Sequence, residues 1–478
     1  MIVSVEVPVF KGGWLQRCID SVRHQTSPNW HLSLLWDGGD ELSRRVLEKL
    51  ERRRHPQVSV YFRPNRGIAR ARRWLSEHSQ GDFILPVDDD DALPCHAVER
   101  FLEVAAQKPW ASIIRGQRKM VNVDGKVQDA PPWFPFERRH YQHGMVQDLF
   151  NHTHPYLIRR SAYEQTSGWE GFADFRHAGE DCDLYLKLEE VGSIELLDEV
   201  LYYYRINDSR ASLMLTDEAA FEMWRRLADK TIERIGLPLR RTTEKQPFVY
   251  ERVPRPAAGP DAVACVIVRN GDGSDARAHA LAESLRRAGV PDEALHVVAD
   301  RLVATASRDL RRADRPFVCL LDATVRVDGR DALTALLRAA HERELDLVSP
   351  ALRAADGAAV RPDPALGREL RAVLTDQPAA GPEPRPAPEA GTAPWLPGPL
   401  LLVRREVVRA VGGFDDGFSG VRPAVADFCL KARERGFACA SVDASGFGAD
   451  DAGAVPTPEP DLRRLRAKWR GRRDLLAG

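Results

Sequence analysis

Two groups of acidic residues pose the chemical question in this chain. Asp88, Asp89, Asp90 and Asp91 stand together in "LPVDDDDALP", directly behind an apolar run, and Glu180, Asp181 and Asp183 follow much later in "HAGEDCDLYLKLEEVG". Four adjacent carboxylates repel one another, so a fold that holds them supplies a cation, hydrogen-bond donors or open water. In extended backbone alternate side chains share a face, which lets Asp88 and Asp90 converge on one spot while Asp89 points elsewhere. Such a pair suits a hard divalent cation, Mg2+ or Mn2+, whose oxygen shell is often completed by phosphates, making a nucleotide diphosphate a natural bound partner. An acidic turn or a helix N-cap ahead of "AVERFLEVAAQ" accounts for the same residues without a metal. In the second group Asp181, Leu184 and Leu188 share one side of a helix, so the acids crown its first turn. There they serve either as partners of the helix dipole or, for Glu180 and Asp181, as a held general base.

The elements that must position these acids are legible in the hydrophobic periodicity. "IVSVEVPVF", "HLSLLWD", "QVSVYFRP" and "DFILPVD" read as strands, and "GWLQRCIDSVRHQ", "ELSRRVLEKLERRR" and "NRGIARARRWLSEHS" as the helices between them. That alternation predicts an α/β fold with a mainly parallel sheet, helices on both faces and ligands at the carboxyl ends of the strands, where the four aspartates sit. A Pro, Ala and Gly-rich stretch at 251–261 reads as a linker between a domain of residues 1–250 and a second α/β domain of residues 262–460. Within the latter, 374–394 reads as a flexible Pro/Ala-rich loop, and 461–478 follows as a basic tail. The halves resemble each other: "FILPVDDDDALP" pairs with "VCLLDATVRVDG", "YLIRRSAYEQTSGWEGF" with "LLVRREVVRAVGGFDDGF", and "DCDLYLKLEEVG" with "VADFCLKARERG". Two tandem domains of similar architecture are therefore expected.

Composition narrows the function classes. A chain of 478 residues is long enough for two cores, and 69 basic against 70 acidic residues (net charge -1) argues against a protein held on nucleic acid by phosphate contacts. Seven scattered cysteines without a CxxC pair suggest neither a disulfide framework nor a cysteine zinc site, and fit a reducing cytoplasm. The apolar segment "MIVSVEVPVF" starts at the first residue without a basic leader, and no apolar stretch approaches a membrane span, so a soluble cytoplasmic protein is expected. In the tail Leu462, Leu465 and Trp469 recur at helical spacing. This is read first as a helix packed on its own domain, with peripheral contact at the inner membrane face as the second use.

The ordered set PVF, DGG, N-x-G, DDDD, G-W-x-G-F and EDCD, spread over residues 2–215, resembles the family 2 glycosyltransferases of the GT-A fold. Pro8-Val9-Phe10 matches the end of their first strand, and Asp37-Gly38-Gly39 their Asp-Asp-Gly-Ser turn, with Trp36 replacing its first aspartate. Asn65-Arg66-Gly67 and "ARARRWL" match the next motif, Asp88 to Asp91 the metal motif, and Glu180-Asp181 the acceptor-side pair. The resemblance implies an inverting, metal-assisted transfer of sugar from a nucleotide-diphosphate donor, a UDP-sugar foremost, to a hydroxyl of a glycan, polysaccharide or lipid-linked acceptor. It implies a nucleotide side made by Pro8, Phe10, Asp37, Asn65, Asp88 and Asp89, with Arg70 or Arg72 on the diphosphate because a guanidinium offers paired donors. Either arginine also fits a solvated helix face. Asp90 would ligate the metal, Asp88 would meet the ribose or a metal-bound water, and Asp181 would be the general base with Glu180 in reserve. Trp169 and Asp183 belong on the acceptor side in this reading, although Trp169 equally suits a core.

Departures from the pattern are also legible. Asn207 stands where many relatives carry a metal-binding histidine, a loss that His152 or His154 could offset. In the second half Asp322 is kept, but Thr324 takes the place of Asp90, and Ala424 and Val425 take those of Glu180 and Asp181, so that domain is expected to be non-catalytic. A role in polysaccharide biosynthesis at the cell envelope is the expected setting, and a homodimer is compatible with the pattern. A nucleotidyltransferase, or a non-catalytic carbohydrate-binding or scaffold protein, is the alternative.

Overall fold

The structure, a computed structural model, describes residues 1–127, 154–172, 179–206, 217–244, 249–269, 274–298, 303–354, 364–376, 391–392, 396, 399–449 and 457–476. It divides into two compact units, one built mainly from Met1–Glu137 and Val146–Arg234, the other mainly from Val249–Gly478.

The first unit runs β1 (Val3–Val9), α1 (Leu15–Arg23), β2 (Trp30–Asp37), α2 (Glu41–Arg52), β3 (Val58–Arg63), α3 (Ile68–His78) and β4 (Phe83–Pro86). It continues with α4 (Ala97–Gln107), β5 (Ala111–Val121), β6 (Tyr156–Arg159), α5 (Arg160–Tyr163), α6 (Glu180–Glu189), β7 (Ser193–Arg205) and α7 (Asp217–Ile235). Its strands form one sheet in the order β3-β2-β1-β4-β6-β5-β7. Pairing is parallel except at β6, which runs antiparallel to both β4 and β5. Side chains alternate between the two faces. Leu32, Leu34, Phe83 and Leu85 join a core with Leu15 and Ile19 of α1 and Phe101 of α4, whereas Leu35 packs with Ala71 and Leu75 of α3, and Ile84 with Leu184 and Leu188 of α6. Helices therefore cover both faces, as the alternating sequence pattern predicts.

The second unit begins with the hairpin β8 (Leu239–Arg241) and β9 (Tyr250–Arg252), then β10 (Val263–Val268), α8 (Ser274–Arg287), β11 (Leu295–Val298), α9 (Val303–Arg312) and β12 (Phe317–Asp322). Next come β13 (Val325–Val327), α10 (Ala332–Glu342), β14 (Leu347–Pro350), α11 (Pro364–Thr375), β15 (Gly391–Thr392), β16 (Leu400–Arg404) and α12 (Arg405–Val411). The unit closes with α13 (Val421–Glu434), β17 (Cys439–Val442), β18 (Phe447–Ala449) and α14 (Glu459–Trp469). Its main sheet has the order β11-β10-β12-β16-β14-β17-β15. From β11 to β17 this repeats the first unit's β2-β1-β4-β6-β5-β7, with the antiparallel strand in the same place.

The repetition extends to atoms. Phe83 pairs with Arg159 across β4 and β6, and Phe317 with Arg404 across β12 and β16. Each guanidinium lies over its phenylalanine ring, at 4.9 and 4.7 Å, and each Nε donates to a main-chain carbonyl, of Ala111 at 2.9 Å and of Leu345 at 3.1 Å. A cation over an aromatic face with its donors satisfied is a favourable way to bury an arginine stem against a sheet.

Two expectations about boundaries change, and the basic tail follows the first of its two readings. The stretch 251–261 is tied into the second unit, Arg252 reaching the buried Asp346 at 3.1 Å and Arg255 reaching it at 3.7 Å. The loop expected at 374–394 begins inside α11 and takes in β15, while residues 377–390 and 393–394 lie outside the described ones. The basic tail is α14, an integral helix whose Leu465 and Trp469 are buried and whose Lys468 pairs with Asp415 at 2.8 Å and Asp427 at 2.7 Å. With that ammonium neutralised inside the unit, the helix presents less positive charge to a membrane than its sequence suggests. Among the described residues no helix is long and apolar enough to cross a membrane.

Candidate functional site

Three strand ends in the first unit converge at one edge of the sheet. β1 stops at Val9, and the next backbone amides, of Phe10 and Lys11, donate to Asp89 Oδ2 at 2.7 and 2.8 Å. β2 ends at Asp37, a buried carboxylate that accepts from the Arg66 amide at 3.1 Å. The loops behind β1 and β2 are in close contact, because a Cβ on Gly39 would run into the Phe10 carbonyl. Asn65 turns its Oδ1 to the Gly67 amide, 2.9 Å away, shaping the entry to α3. Phe10 itself is half exposed at 48%, with its ring available at the mouth of these loops, whereas Pro8 is buried within β1.

The aspartate loop after β4 is held from several directions. Arg205, at the end of β7, donates its amide to Asp91 Oδ1 at 2.7 Å and its Nε to the Asp90 carbonyl at 2.8 Å. Tyr202 on the same strand accepts the Asp88 amide at 3.1 Å. Asp88, Asp89 and Asp90 are half-buried and Asp91 is buried. Burial pushes the Asp89 carboxyl up to about 7, and the charges of Asp90 and Asp88 push the same way. Asp91 is raised well above the ordinary carboxylate value, by burial first and then by Asp88 and Asp90. Burial also works against ionised Asp88, but His154 and Arg72 outweigh it and keep that carboxyl low.

Arg72 on α3 joins the two acidic groups. Only 4% exposed, it donates Nη2 to Asp88 Oδ1 at 2.7 Å and brings Nε to 3.4 Å from Glu180 Oε1. Glu180 opens α6 after Gly179, whose left-handed φ of 85° turns the chain into the helix. Burial raises the Glu180 carboxyl to about 8, with Asp181 adding to the shift. Asp181 is half-buried, accepts the Cys182 amide at 2.8 Å, and is also raised, chiefly by burial. Of the three acids at this helix start, Glu180 and Asp183 are buried and Asp181 keeps a face toward solvent.

Several expected roles change once burial is visible. Arg72 is engaged with two carboxylates instead of standing free for a diphosphate, while Arg70 is exposed on the first turn of α3. Trp169 is a core residue: it is 2% exposed, donates Nε1 to Ser76 Oγ at 3.0 Å and lies beneath the Arg72 guanidinium at 5.2 Å. Asp183 is buried among cations, with Lys187 at 2.5 Å and Lys230 at 3.0 Å, so it faces away from any acceptor. Asp89 has one oxygen tied to the β1 loop, which makes it a brace for that loop. His154 is buried, 3.7 Å from Asp88 Oδ2 and stacked on Tyr156 and Tyr202. Burial lowers it to about 4 and so keeps the ring neutral near pH 7. His152 and Asn207 lie outside the described residues.

Composition and spacing missed Arg73 and Arg205. Arg73 clamps the turn before α6 through the carbonyls of Trp169 at 3.0 Å and Ser167 at 2.6 Å. In both cases the signal was a bare arginine beside a motif, without the burial that gives it meaning.

The donor set suits a divalent cation. The side chains at the loop tip are hard oxygen donors, and the mutual raising of neighbouring acids marks an excess of negative charge that a cation would relieve. Among the described residues no group of three or more His, Cys, Asp or Glu side chains could hold a metal by itself, so a bound cation would draw further oxygens from a ligand and water.

The sequence pattern described as Glycosyl transferase family 2 matches residues 4–167, from β1 through the aspartate loop to the end of α5. Residues 4–167 form a family 2 glycosyl transferase domain. Relatives of this transferase domain include a protein of Pasteurella multocida (strain Pm70) named chondroitin synthase, 28% identical over 45% of this chain and 22% of that one. Another, of Pasteurella multocida, is named hyaluronan synthase and is 28% identical over 44% of this chain and 21% of its own. The chain thus spans about a fifth of the length of these two relatives. Among solved structures, S. aureus TarS 1-349 in complex with UDP-GlcNAc matches with a TM-score of 0.37 at 18% identity, covering 48% of this chain and 66% of that one. That likeness is too loose to identify a ligand or a reaction.

Proposed function

We propose that the transferase domain moves a sugar from a nucleoside-diphosphate donor to a hydroxyl acceptor, with inversion at the anomeric carbon and Asp181 as general base. The observation that supports this reading is the Arg72 bridge, which touches Asp88 at 2.7 Å and Glu180 at 3.4 Å, so that the two acidic groups lie on one guanidinium.

Each residue then has a task. Phe10 and the backbone of its loop cover the base, whose edge meets Asp37. Asp88 and Asp90 would hold Mg2+ or Mn2+, which would supply positive charge against the departing diphosphate. Arg70, exposed on the first turn of α3, is a cation able to approach a phosphate oxygen. Arg72 keeps Asp88 and Glu180 in register. Glu180 is buried against Arg72, whereas Asp181 keeps a face toward solvent, so Asp181 is the acid placed to accept a proton while the acceptor oxygen attacks C1. A saccharide acceptor, in polysaccharide synthesis, agrees with the names of the relatives.

The test is release of nucleoside diphosphate from a panel of UDP- and GDP-sugars with Mn2+ and saccharide acceptors. The reading expects acceptor-dependent release with at least one donor and its loss in Asp181→Asn. Release of pyrophosphate instead, or turnover indifferent to that change, would contradict it.

A further inference from the structure

The second unit repeats the sheet of the first, yet the places of Asp90, Glu180 and Asp181 are altered in it. Because Asp183 and Lys187 correspond to Asp427 and Lys431, the positions of Glu180 and Asp181 fall on Ala424 and Val425, which are 0% and 4% exposed. In the first unit α6 starts at Glu180, whereas α13 already starts at Val421, so the helix has grown about a turn through the place where the acids would open. The new helix end is sealed from within. Asp461 of α14 accepts from the Ser419 amide at 2.9 Å, the Ser419 hydroxyl at 3.0 Å and the Gly420 amide at 3.0 Å, and is itself 1% exposed. The corresponding position on α7, counted from Lys468 back to Lys230, is Met223, whose thioether packs beside Gly179 and offers no such cap.

The donor side is altered as well. Asp322 occupies the register of Asp88, because Phe317 and Phe83 both open the pairing of their strands. Its Oδ1 accepts from the amide and the hydroxyl of Thr324, each at 2.9 Å, so the residue in place of Asp90 folds back on the retained aspartate. A threonine hydroxyl already donating to a carboxylate is a poor substitute for a second anionic ligand.

We infer that the chain has one sugar-transfer site, so that it takes one donor class and forms one kind of linkage, the second unit being a closed copy that binds no nucleotide sugar. This rests on the proposed transfer reading for the first unit.

Calorimetric titration of the full chain with UDP and, separately, GDP in the presence of Mn2+ tests it, using wild type, Asp90→Asn and Asp322→Asn. Expected are a stoichiometry near one for whichever nucleotide binds, at least a tenfold weakening in Asp90→Asn, and no change in Asp322→Asn. Hydrogen exchange of the wild type provides a variant-free readout: protection on nucleotide binding near residues 8–12, 37–40 and 87–91, and none at 317–327 or 419–427. A stoichiometry near two, or protection in the second unit, overturns this inference while leaving the first site intact. If neither nucleotide binds the wild type, the transfer reading falls and this inference falls with it.

Discussion

The two units keep the same ionic framework and differ in the cleft it supports. In the first, Asp183 pairs with Lys187 of its own helix and Lys230 of α7, Glu170 meets both lysines at 2.8 and 2.9 Å, and Arg234 meets Glu190 at 2.5 Å. In the second, Asp427 pairs with Lys431 and with Lys468 of α14, Asp415 meets Lys468 at 2.8 Å, and Arg472 meets Glu434. Even the aromatic lid recurs, Phe172 lying 5.8 Å from Lys230 and Phe418 lying 5.6 Å from Lys468. A buried ion-pair network whose members are all satisfied is costly to break piecemeal, because removing one partner strands the others without solvation. The cleft acids form a separate cluster around Arg72, and in the second unit Thr324, Ala424 and Val425 stand in the places of Asp90, Glu180 and Asp181 while the lysine-centred framework stays.

The strongest way to break this comparison is at the cleft. Asp181→Asn should lower the transfer rate by about 10^2- to 10^4-fold, the usual worth of a general base. Donor affinity and melting temperature should change little, because Asp181 is half-buried and its hydrogen-bond partner is the adjacent Cys182, through amide and thiol. Steady-state kinetics beside a thermal melt would check it, and a loss of folding equal to the loss of rate would remove the distinction between cleft and framework.

At the framework the two units should respond alike. Asp183→Ala and Asp427→Ala each remove one of the two carboxylates that their lysines share, leaving Glu170 or Asp415 as the remaining partner, and each should destabilise its own unit by about 1–3 kcal/mol, short of the roughly 3–5 kcal/mol of a fully stranded buried charge, readable in urea titrations followed by regional hydrogen exchange. Asp427→Ala should leave nucleotide binding by the first unit in place as long as that unit remains folded. If only one of the pair destabilises, the frameworks are not equivalent.

A smaller effect separates the units by pH. Lys187 and Lys230 hold the Glu170 carboxyl at about 2 against the opposing effect of burial, and Asp415 is held lower still by Lys468, Arg464 and Lys431. Both folded-state pKa values are depressed, so each contribution is complete above the ordinary carboxylate range and is lost as pH falls through the folded value. Regional exchange between pH 5 and pH 2 should show the α6–α7 contact of the first unit loosening before the α13–α14 contact of the second, and Glu170→Gln should flatten the first response. Simultaneous loosening would argue against the difference between Glu170 and Asp415.

Much of this arrangement was legible in the sequence, and the reasons are local. The strands leading to Val9, Asp37 and Pro86 announce themselves as apolar runs, and the carboxyl ends of parallel strands are where loops can gather ligands. The acids of both groups and the repeat of "DCDLYLKLEEVG" in "VADFCLKARERG" could be read the same way. Tertiary burial could not. Asp183 and Asp181 are two residues apart on one helix, and only the packing of α7 turns one into a framework anion and leaves the other at the cleft. Trp169 and Arg72 stayed open between ligand-binding and structural roles for the same reason: an indole or a guanidinium in a motif gives no sign that it lies 5.2 Å from its partner inside a core. The tail helix looked basic because its partners, Asp415 and Asp427, lie far from it along the chain.

The most direct measurement is a crystal structure of the full chain with UDP and Mn2+. The account predicts the metal and the diphosphate against Asp88 and Asp90, with the half-buried carboxylate of Asp181 opening onto the same cavity. A nucleotide bound elsewhere on the chain, or Asp181 facing a surface that the diphosphate does not share, would contradict it.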